Sequence, residues 1–186
     1  LKSVAFFLKK KKIPFIKLRE PGGSKNSEKI RKLILNNKAT LNKKTDLFLY
    51  LAARNENIVN VLNKNYKKKV ILIDRFIDST IAYQHYGMKL DKKIIQINNK
   101  YLLKKIKINF TFLLIVSEKN LKLRLSKRKM LNRYDKFNFS FYKRVQNGFI
   151  NQSKKNKRKY LLINSNNKIN KNKKLIILKL RKLLNI

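Results

Sequence analysis

Arginine, lysine, carboxylate and hydroxyl groups must carry any chemistry of this chain, because it contains no cysteine and a single histidine, His85. Those two features exclude a disulfide framework, a zinc site of cysteine and histidine, a thiol nucleophile and a histidine-centred triad. Nine acidic residues stand against 49 lysines and arginines, so each carboxylate is informative.

The acidic residues and the arginines occur together in the first part of the chain. The early carboxylates are Glu20, Glu28, Asp46, Glu56, Asp74 and Asp78, and the arginines of the same segments are Arg19, Arg31, Arg54 and Arg75. The segment from Arg19 to Gly23 also holds one of the two prolines and two of the four glycines. Proline fixes φ, and glycines allow positive φ or a close approach of another group. We therefore predict a tight turn there.

The net charge of +40 invites a nucleic-acid interpretation, because such a field attracts phosphate backbones. The lysines are spread over every segment and accompany abundant asparagine and isoleucine, as a strongly AT-biased coding sequence would give. We therefore interpret the charge as compositional, with only non-specific nucleic-acid binding. The chain has no apolar run of about 18 residues and no signal-peptide pattern at its start, so we predict a cytoplasmic protein without a membrane span.

Short apolar runs alternate with helical spacing along the 186 residues, 43% of which are hydrophobic. This pattern predicts one α/β domain, residues 1–186, with a parallel sheet and helices on both faces. The predicted strands are 13–18, 70–73, 110–116 and 160–163, with 70–73 and 110–116 fully buried. The predicted helices are 1–11, 28–35, 46–62, 78–86, 91–104, 118–127, 139–152 and 175–184, with a surface loop over 164–174.

Four consecutive blocks resemble bacterial thymidylate kinases in order and spacing. They run from Arg19 to Gly23, Glu28 to Arg31, Thr45 to Arg54 and Asp74 to Gln84. The resemblance continues through 109–111, Arg133-x-Asp135 and 139–149, and so covers essentially the whole chain. It implies a P-loop nucleoside monophosphate kinase fold that transfers the γ-phosphate of ATP to dTMP, giving dTDP for dTTP and DNA synthesis. It also implies Mg²⁺ as cofactor and a homodimer.

Phosphoryl transfer requires positioning and positive charge, which arginines, magnesium and a closing lid supply. The resemblance assigns the dTMP phosphate to Arg75 and Arg31, and thymine stacking to Tyr50. The resemblance also implies that Arg54 binds dTMP one helical turn from Tyr50, and that Thr80 and Gln84 bond to the base edge. Asp74 would hold Mg²⁺ through water, and a lid over about 126–138 would carry Arg128 and Arg133. In this assignment Arg75, Asp74, Arg128 and Arg133 serve catalysis.

The sequence contains no Gly-x-x-x-x-Gly-Lys loop of the kind that cradles ATP phosphates. It opens at Leu1, within the helix that should follow that loop. We therefore expect the first, central strand to be missing and the sheet to be cut in the middle, with low stability and lost turnover.

Simpler interpretations exist for the individual residues. Asp74 and Arg75 could form a surface ion pair, Tyr50 could be a core aromatic, and Arg128 and Arg133 could be solvated charge. For the whole chain, the alternatives are a non-catalytic, basic nucleic-acid-binding protein, whose binding would collapse with salt, and another nucleoside monophosphate kinase.

Overall fold

The computed structural model describes all of residues 1–186. The helices are α1 (Lys2–Lys10), α2 (Lys25–Leu35), α3 (Lys43–Asn57), α4 (Asn63–Asn65), α5 (Ile77–Thr80), α6 (Lys92–Leu103), α7 (Glu118–Ser126), α8 (Phe139–Lys155) and α9 (Ile169–Leu184). The strands are β1 (Phe15–Arg19), β2 (Val70–Asp74), β3 (Thr111–Ile115) and β4 (Tyr160–Asn164). Turns of π-helix cover Ile58–Leu62 and Ile81–Gly87, and turns of 3-10 helix cover Arg133–Lys136 and Lys157–Lys159.

The four strands form two separate parallel pairs, β1 with β2 and β3 with β4. In the first pair Phe15 lies opposite Val70 and Arg19 opposite Asp74. In the second, Thr111 lies opposite Tyr160. The prediction of a parallel α/β fold is confirmed, and the arrangement of the strands in two pairs agrees with the expected division of the sheet.

Side-chain caps set the start of several helices. The Asn42 side chain accepts from the Thr45 N–H at 2.9 Å at the start of α3, and Asn138 accepts from Phe141 N–H at 3.0 Å at the start of α8. Such caps satisfy amide groups that have no partner inside the helix. Asp91 and Ser117 cap α6 and α7 in the same way.

The largest apolar cluster joins α2, the π-helical turn 81–87, the 3-10 turn 133–136 and α8. Its buried members are Ile34, Ala82, Met88, Tyr134, Phe141 and Val145. This cluster packs the segment 133–136 against the body of the protein, beside the carboxyl-terminal half of α2. No helix of the fold is long and apolar enough to cross a bilayer.

Two expectations about the elements were wrong, and two predicted helices are helical but not α-helical throughout. Strands β2 and β3 are mostly half-buried, with Leu113 as the only buried residue of the two strands. Helix α9 begins at Ile169, inside the predicted loop, because its polar first turns lie on the surface and lack the apolar periodicity that would reveal them. The predicted helices 46–62 and 78–86 each change from α to π geometry part-way.

Candidate functional site

The carboxyl-terminal ends of β1 and β2 place the tight turn beside the Asp74-Arg75 pair. Arg19 lies opposite Asp74, and the Glu20 N–H donates to the Asp74 carbonyl at 2.9 Å. In α/β sheets, ligands bind outside the carboxyl ends of the strands. This edge is therefore where a ligand site is expected.

The turn after β1 requires its two glycines. Gly22 and Gly23 have φ of +113° and +112°, a region that other residues rarely adopt. A Cβ on Gly23 would lie 2.3 Å from Leu18 Cδ1, so a side chain would also clash. The Gly23 N–H donates to Glu28 Oε1 at 2.8 Å, and this bond is the main cause that holds the pKa of Glu28 below its usual value. The predicted tight turn is confirmed.

Three guanidinium groups lie close to this turn. Arg19 pairs with Glu28 at 3.1 Å, and Arg31 donates to the Pro21 carbonyl at 2.6 Å. Burial lowers the pKa of Arg31, and the positive charges of Arg19 and Arg75 lower it further. One carboxylate, Glu28, therefore faces several positive charges, and such a cluster suits a phosphate dianion because the guanidinium fork matches phosphate oxygens.

Arg75 adopts a strained backbone at the end of β2. Its φ is +62°, an uncommon region for a residue with a long side chain, and such strain concentrates at functional sites. Its guanidinium carbon lies 5.0 Å from the centre of the Tyr83 ring. Tyr50 lies nearby, with its ring edge-on to Tyr134 at 6.2 Å between centres, and burial raises the pKa of Tyr50 to about 12.

A first buried polar group, which we name the Glu20 cluster, consists of Glu20, Arg54, Thr80 and Asn99. Arg54 Nε donates to Glu20 Oε2 at 2.9 Å, and its terminal nitrogens donate to Asn99 Oδ1 at 2.6 Å and to Thr80 Oγ1 at 2.9 Å. Glu20 Oε1 and Asn99 Nδ2 are buried without a protein partner. Burial raises the pKa of Glu20 even though Arg54 opposes the shift.

A second group, which we name the Asp46 cluster, consists of Asp46, Gln84, Arg133 and Tyr134. The fully buried Asp46 carboxylate accepts from the Arg133 guanidinium at Oδ1. Its Oδ2 accepts from the Tyr134 hydroxyl at 2.6 Å and from Gln84 Nε2 at 2.9 Å. Gln84 Oε1 is buried without a protein donor.

The family model for thymidylate kinase matches residues 1–176. The chain belongs to the thymidylate kinase family.

Individual thymidylate kinases resemble the chain over most of its length. The enzyme of Acholeplasma laidlawii is 36% identical over 165 residues, which cover 87% of this chain and 81% of that protein. That of Wolbachia sp. subsp. Brugia malayi is 36% identical over 132 residues, but the match spans 70% of this chain and only 62% of the relative. The crystal structure of thymidylate kinase from Ehrlichia chaffeensis aligns with a TM-score of 0.71 at 29% identity, covering 90% of this chain and 80% of that chain.

Family membership makes the chain a nucleoside monophosphate kinase by class, as the sequence predicted. The structure brings the residues that we predicted to bind dTMP into one region of this thymidylate kinase family member. Arg54 donates a hydrogen bond to Thr80, Gln84 donates one to the Tyr134 hydroxyl, and the Tyr134 ring lies against Tyr50. Their roles with a ligand stay predictions.

The two predicted lid arginines both have acidic partners within the fold. Arg128 pairs with Asp135 in the same segment, and Arg133 pairs with Asp46. Arg133 also donates to the Ile34 carbonyl at 3.1 Å. The alternative of fully solvated charge therefore does not describe Arg133, which is only 12% exposed.

Asp74 is the predicted magnesium residue. It is exposed at the end of β2, and the fold contains no group of three or more acidic or histidine side chains that could hold a metal. Mg²⁺ usually keeps several waters and takes one or two carboxylates together with substrate phosphates. A lone carboxylate beside an arginine that is predicted to bind phosphate fits that chemistry.

Sequence reasoning missed four residues of these clusters as members of the site. Glu20 was interpreted as a turn residue, and Asp46, Asn99 and Tyr134 were given no role. The rarity of carboxylates in the chain was a usable signal for Glu20 and Asp46. Asn99 lies among ordinary helical residues of α6, so no signal in the sequence marks it.

A surface hollow of about 830 Å³ lies elsewhere, at the start of α6. Its lining includes His85, Lys89 and Gln96 but none of the predicted site residues. The hollow is open and bordered by lysines, so it offers no enclosed binding chemistry. The polar clusters, rather than the hollow, mark the candidate site.

Proposed function

We propose that this protein phosphorylates dTMP to dTDP with ATP as donor, in the supply of dTTP for DNA synthesis. The observation that supports this most directly is the convergence, at the ends of β1 and β2, of a group of arginines with an aromatic face and buried unpaired polar atoms. A nucleoside monophosphate offers a phosphate, a flat ring and a polar base edge to these three features.

In this proposal Arg31 and Arg75 bind the phosphate of dTMP. Their positive charge offsets the negative charge that spreads over the phosphoryl oxygens during transfer. Arg31 now donates to the Pro21 carbonyl, and Arg75 lies over the Tyr83 ring, so neither guanidinium is held by a carboxylate bond of its own. Both therefore keep donors for a phosphate.

The base lies against Tyr50 in this proposal, with Arg54, Thr80 and Gln84 at its edge. Three nitrogens of Arg54 are already bonded inside the Glu20 cluster, and its guanidinium lies 5.2 Å from the Phe76 ring centre. The side chain is therefore fixed before any ligand arrives, which reduces the entropy cost of binding.

The donor half of the reaction would use Mg²⁺ and the segment 126–138. Mg²⁺ would neutralise charge on the phosphates, and Asp74 would hold it through water. Arg128 and Arg133 would approach the transferred phosphoryl group when that segment closes. Arg128 would exchange its partner Asp135 in such a movement, whereas Arg133 would keep its bond to Asp46 and act from that place.

Ligand-dependent thermal unfolding tests the nucleotide. We expect dTMP to raise the melting temperature, because a ligand at 100 times its Kd adds about 2.7 kcal/mol to stability. Tyr50→Ala should lose the response, whereas Tyr50→Phe should keep it because the flat face remains. Equal stabilisation by every nucleoside monophosphate would indicate another kinase specificity. Salt-sensitive nucleic-acid binding with no response to dTMP would support the basic binding protein.

A coupled assay for ADP production tests turnover separately. The binding measurement uses dTMP without ATP, so it does not depend on the phosphate-cradling Gly-Lys loop that the sequence lacks. Because residues 1–186 lack that loop, we expect them to bind dTMP with little or no turnover, and production of dTDP at a normal rate would contradict this expectation. Any dTDP that is formed should be lost in Arg75→Met. Turnover that survives in Arg75→Met would contradict the role of that arginine.

We also propose that the protein forms a homodimer, as the resemblance implies. Ile94, Ile97 and Tyr101 of α6 expose 44%, 67% and 71% of their surface at helical spacing, and α6 packs on α3, where Phe48 is 55% exposed. A second copy would bury these apolar side chains. We expect sedimentation to give a dimer and Ile97→Lys to give a monomer, while Lys100→Ala leaves the dimer intact. A cytoplasmic location stays a prediction.

A further inference from the structure

We propose that Asp46 is a positioning residue that fixes the Gln84 amide with its oxygen toward the base, so that the site selects pyrimidines with an N3–H. The proposal rests on the proposed function, because it takes Gln84 as a base-edge residue. It assigns a specificity role to a carboxylate that need not touch the nucleotide.

The Asp46 carboxylate has donors at both oxygens. Arg133 donates to Oδ1, while the Tyr134 hydroxyl and Gln84 Nε2 donate to Oδ2 at 2.6 Å and 2.9 Å. Asp46 is fully buried, so water does not compete for these bonds. The donors come from two distant parts of the chain, residue 84 and residues 133–134, and together they fix the carboxylate in one orientation.

The orientation of the Gln84 amide follows from this carboxylate. An ionised carboxylate only accepts hydrogen bonds, so the amide nitrogen of Gln84 has to face Asp46 Oδ2. The same nitrogen lies 3.3 Å from the Tyr134 hydroxyl oxygen, whose proton is used on Asp46. The reversed amide would place Oε1 against these oxygens. Gln84 Oε1 therefore points away from Asp46, and no protein group donates to it.

A buried acceptor without a donor discriminates between pyrimidine rings. Thymine and uracil carry a hydrogen on N3 and can donate to Gln84 Oε1, whereas cytosine N3 is an acceptor. A site built to pair with a substrate N–H strongly rejects an analogue that lacks it, because its own polar group stays unpaired. The fixed amide thus favours dTMP and dUMP over dCMP.

The variant Asp46→Asn tests this directly. Arg133 has only donors, so the oxygen of the introduced amide must face Arg133 and its nitrogen must face Gln84. Gln84 then has to reverse, which turns its nitrogen toward the base. We expect the affinity for dTMP and dUMP to fall about 10- to 100-fold, with no fall for dCMP, by calorimetric titration of all three nucleotides.

Tyr134→Phe is the matched control. It removes one donor to Asp46 but leaves the Asp46–Gln84 bond, so stability falls while the ratio of dTMP to dCMP affinity is kept. A purely structural Asp46 would make both variants alike, with the ratio unchanged in each, and this result would overturn the proposal. If the original chain binds dTMP, dUMP and dCMP equally well, the proposed function is wrong rather than the role of Asp46.

A measurement on the original chain covers the case in which Asp46→Asn does not fold. The Gln84 side-chain amide protons, observed by NMR of protein labelled with ¹⁵N, should stay hydrogen-bonded to Asp46 when dTMP is added. Nuclear Overhauser contacts from these protons to the base would show the nitrogen facing the ligand and would overturn the proposal.

Discussion

The Glu20 cluster and the Asp46 cluster both bury a carboxylate beside an arginine, but their polar atoms are paired to different degrees. In the Asp46 cluster, three donors use both carboxylate oxygens. In the Glu20 cluster, all bonds to the carboxylate side chain go to Oε2, and Oε1 has no protein partner.

This difference in pairing gives the two clusters different roles in the site: one holds neighbouring side chains in place, and the other leaves polar atoms free to bind. A saturated carboxylate fixes its neighbours, because none of its donors can leave without exposing an unpaired charge. A cluster with unpaired atoms has capacity left for a ligand or water. The Asp46 cluster therefore braces the segment 133–136 and Gln84, while the Glu20 cluster keeps polar atoms available beside the base-edge residues.

The largest expected effect comes from breaking the saturated cluster. Asp46→Ala leaves the mostly buried Arg133 without its counter-charge, and loss of one partner of a buried pair costs about 3–5 kcal/mol. Urea unfolding measures the change. The control is Glu118→Ala, which removes an exposed pair with Lys122 and should cost less than about 1 kcal/mol. Equal losses in both variants would show that Asp46 is not a brace.

A smaller effect is expected from Thr80→Val in the Glu20 cluster. The change keeps the shape of the side chain but removes the oxygen that accepts from Arg54, and an unpaired buried donor costs about 1–3 kcal/mol. Thr45→Val, the same change at an exposed position of α3, should stay within about 0.5 kcal/mol. Urea unfolding of both variants shows whether the loss of stability comes from the buried position of Thr80 or from the introduced valine itself.

The smallest effect is a difference in pH dependence between Glu20 and Glu28. Burial raises the pKa of Glu20, so its contribution to stability is complete below pH 4.5 and is lost as pH rises toward the folded-state pKa. The Gly23 N–H lowers the pKa of Glu28, so its contribution is present above pH 4.5 and is lost as pH falls.

Glu20→Gln and Glu28→Gln separate these two slopes. Relative to the original chain, Glu20→Gln should gain stability as pH rises above 4.5, whereas Glu28→Gln should lose stability as pH rises toward 4.5 from below. Thermal unfolding at a series of pH values measures both differences. If stability changes with pH in the same way in both variants, the surroundings of Glu20 and Glu28 do not differ as described.

Much of the fold follows from local patterns. Strands β1 to β4 coincide with apolar runs, and most helices begin within a few residues of their predicted starts. The start of α9 was missed because exposed lysines and asparagines carry no periodicity. The change to π geometry at Ile81–Gly87, a segment that packs against α8, also has no local signal in the sequence.

The sequence by itself determined the order of the blocks, the tight turn with its two glycines and the candidate residues Arg31, Tyr50, Arg54 and Arg75. Only the tertiary structure decided which carboxylate meets which arginine. Glu20 and Arg54 are 34 positions apart, and Arg133 and Asp46 are 87 apart. Pairing over such distances depends on helix packing, because a buried charge takes the partner that the fold brings within reach, whatever lies beside it in the chain.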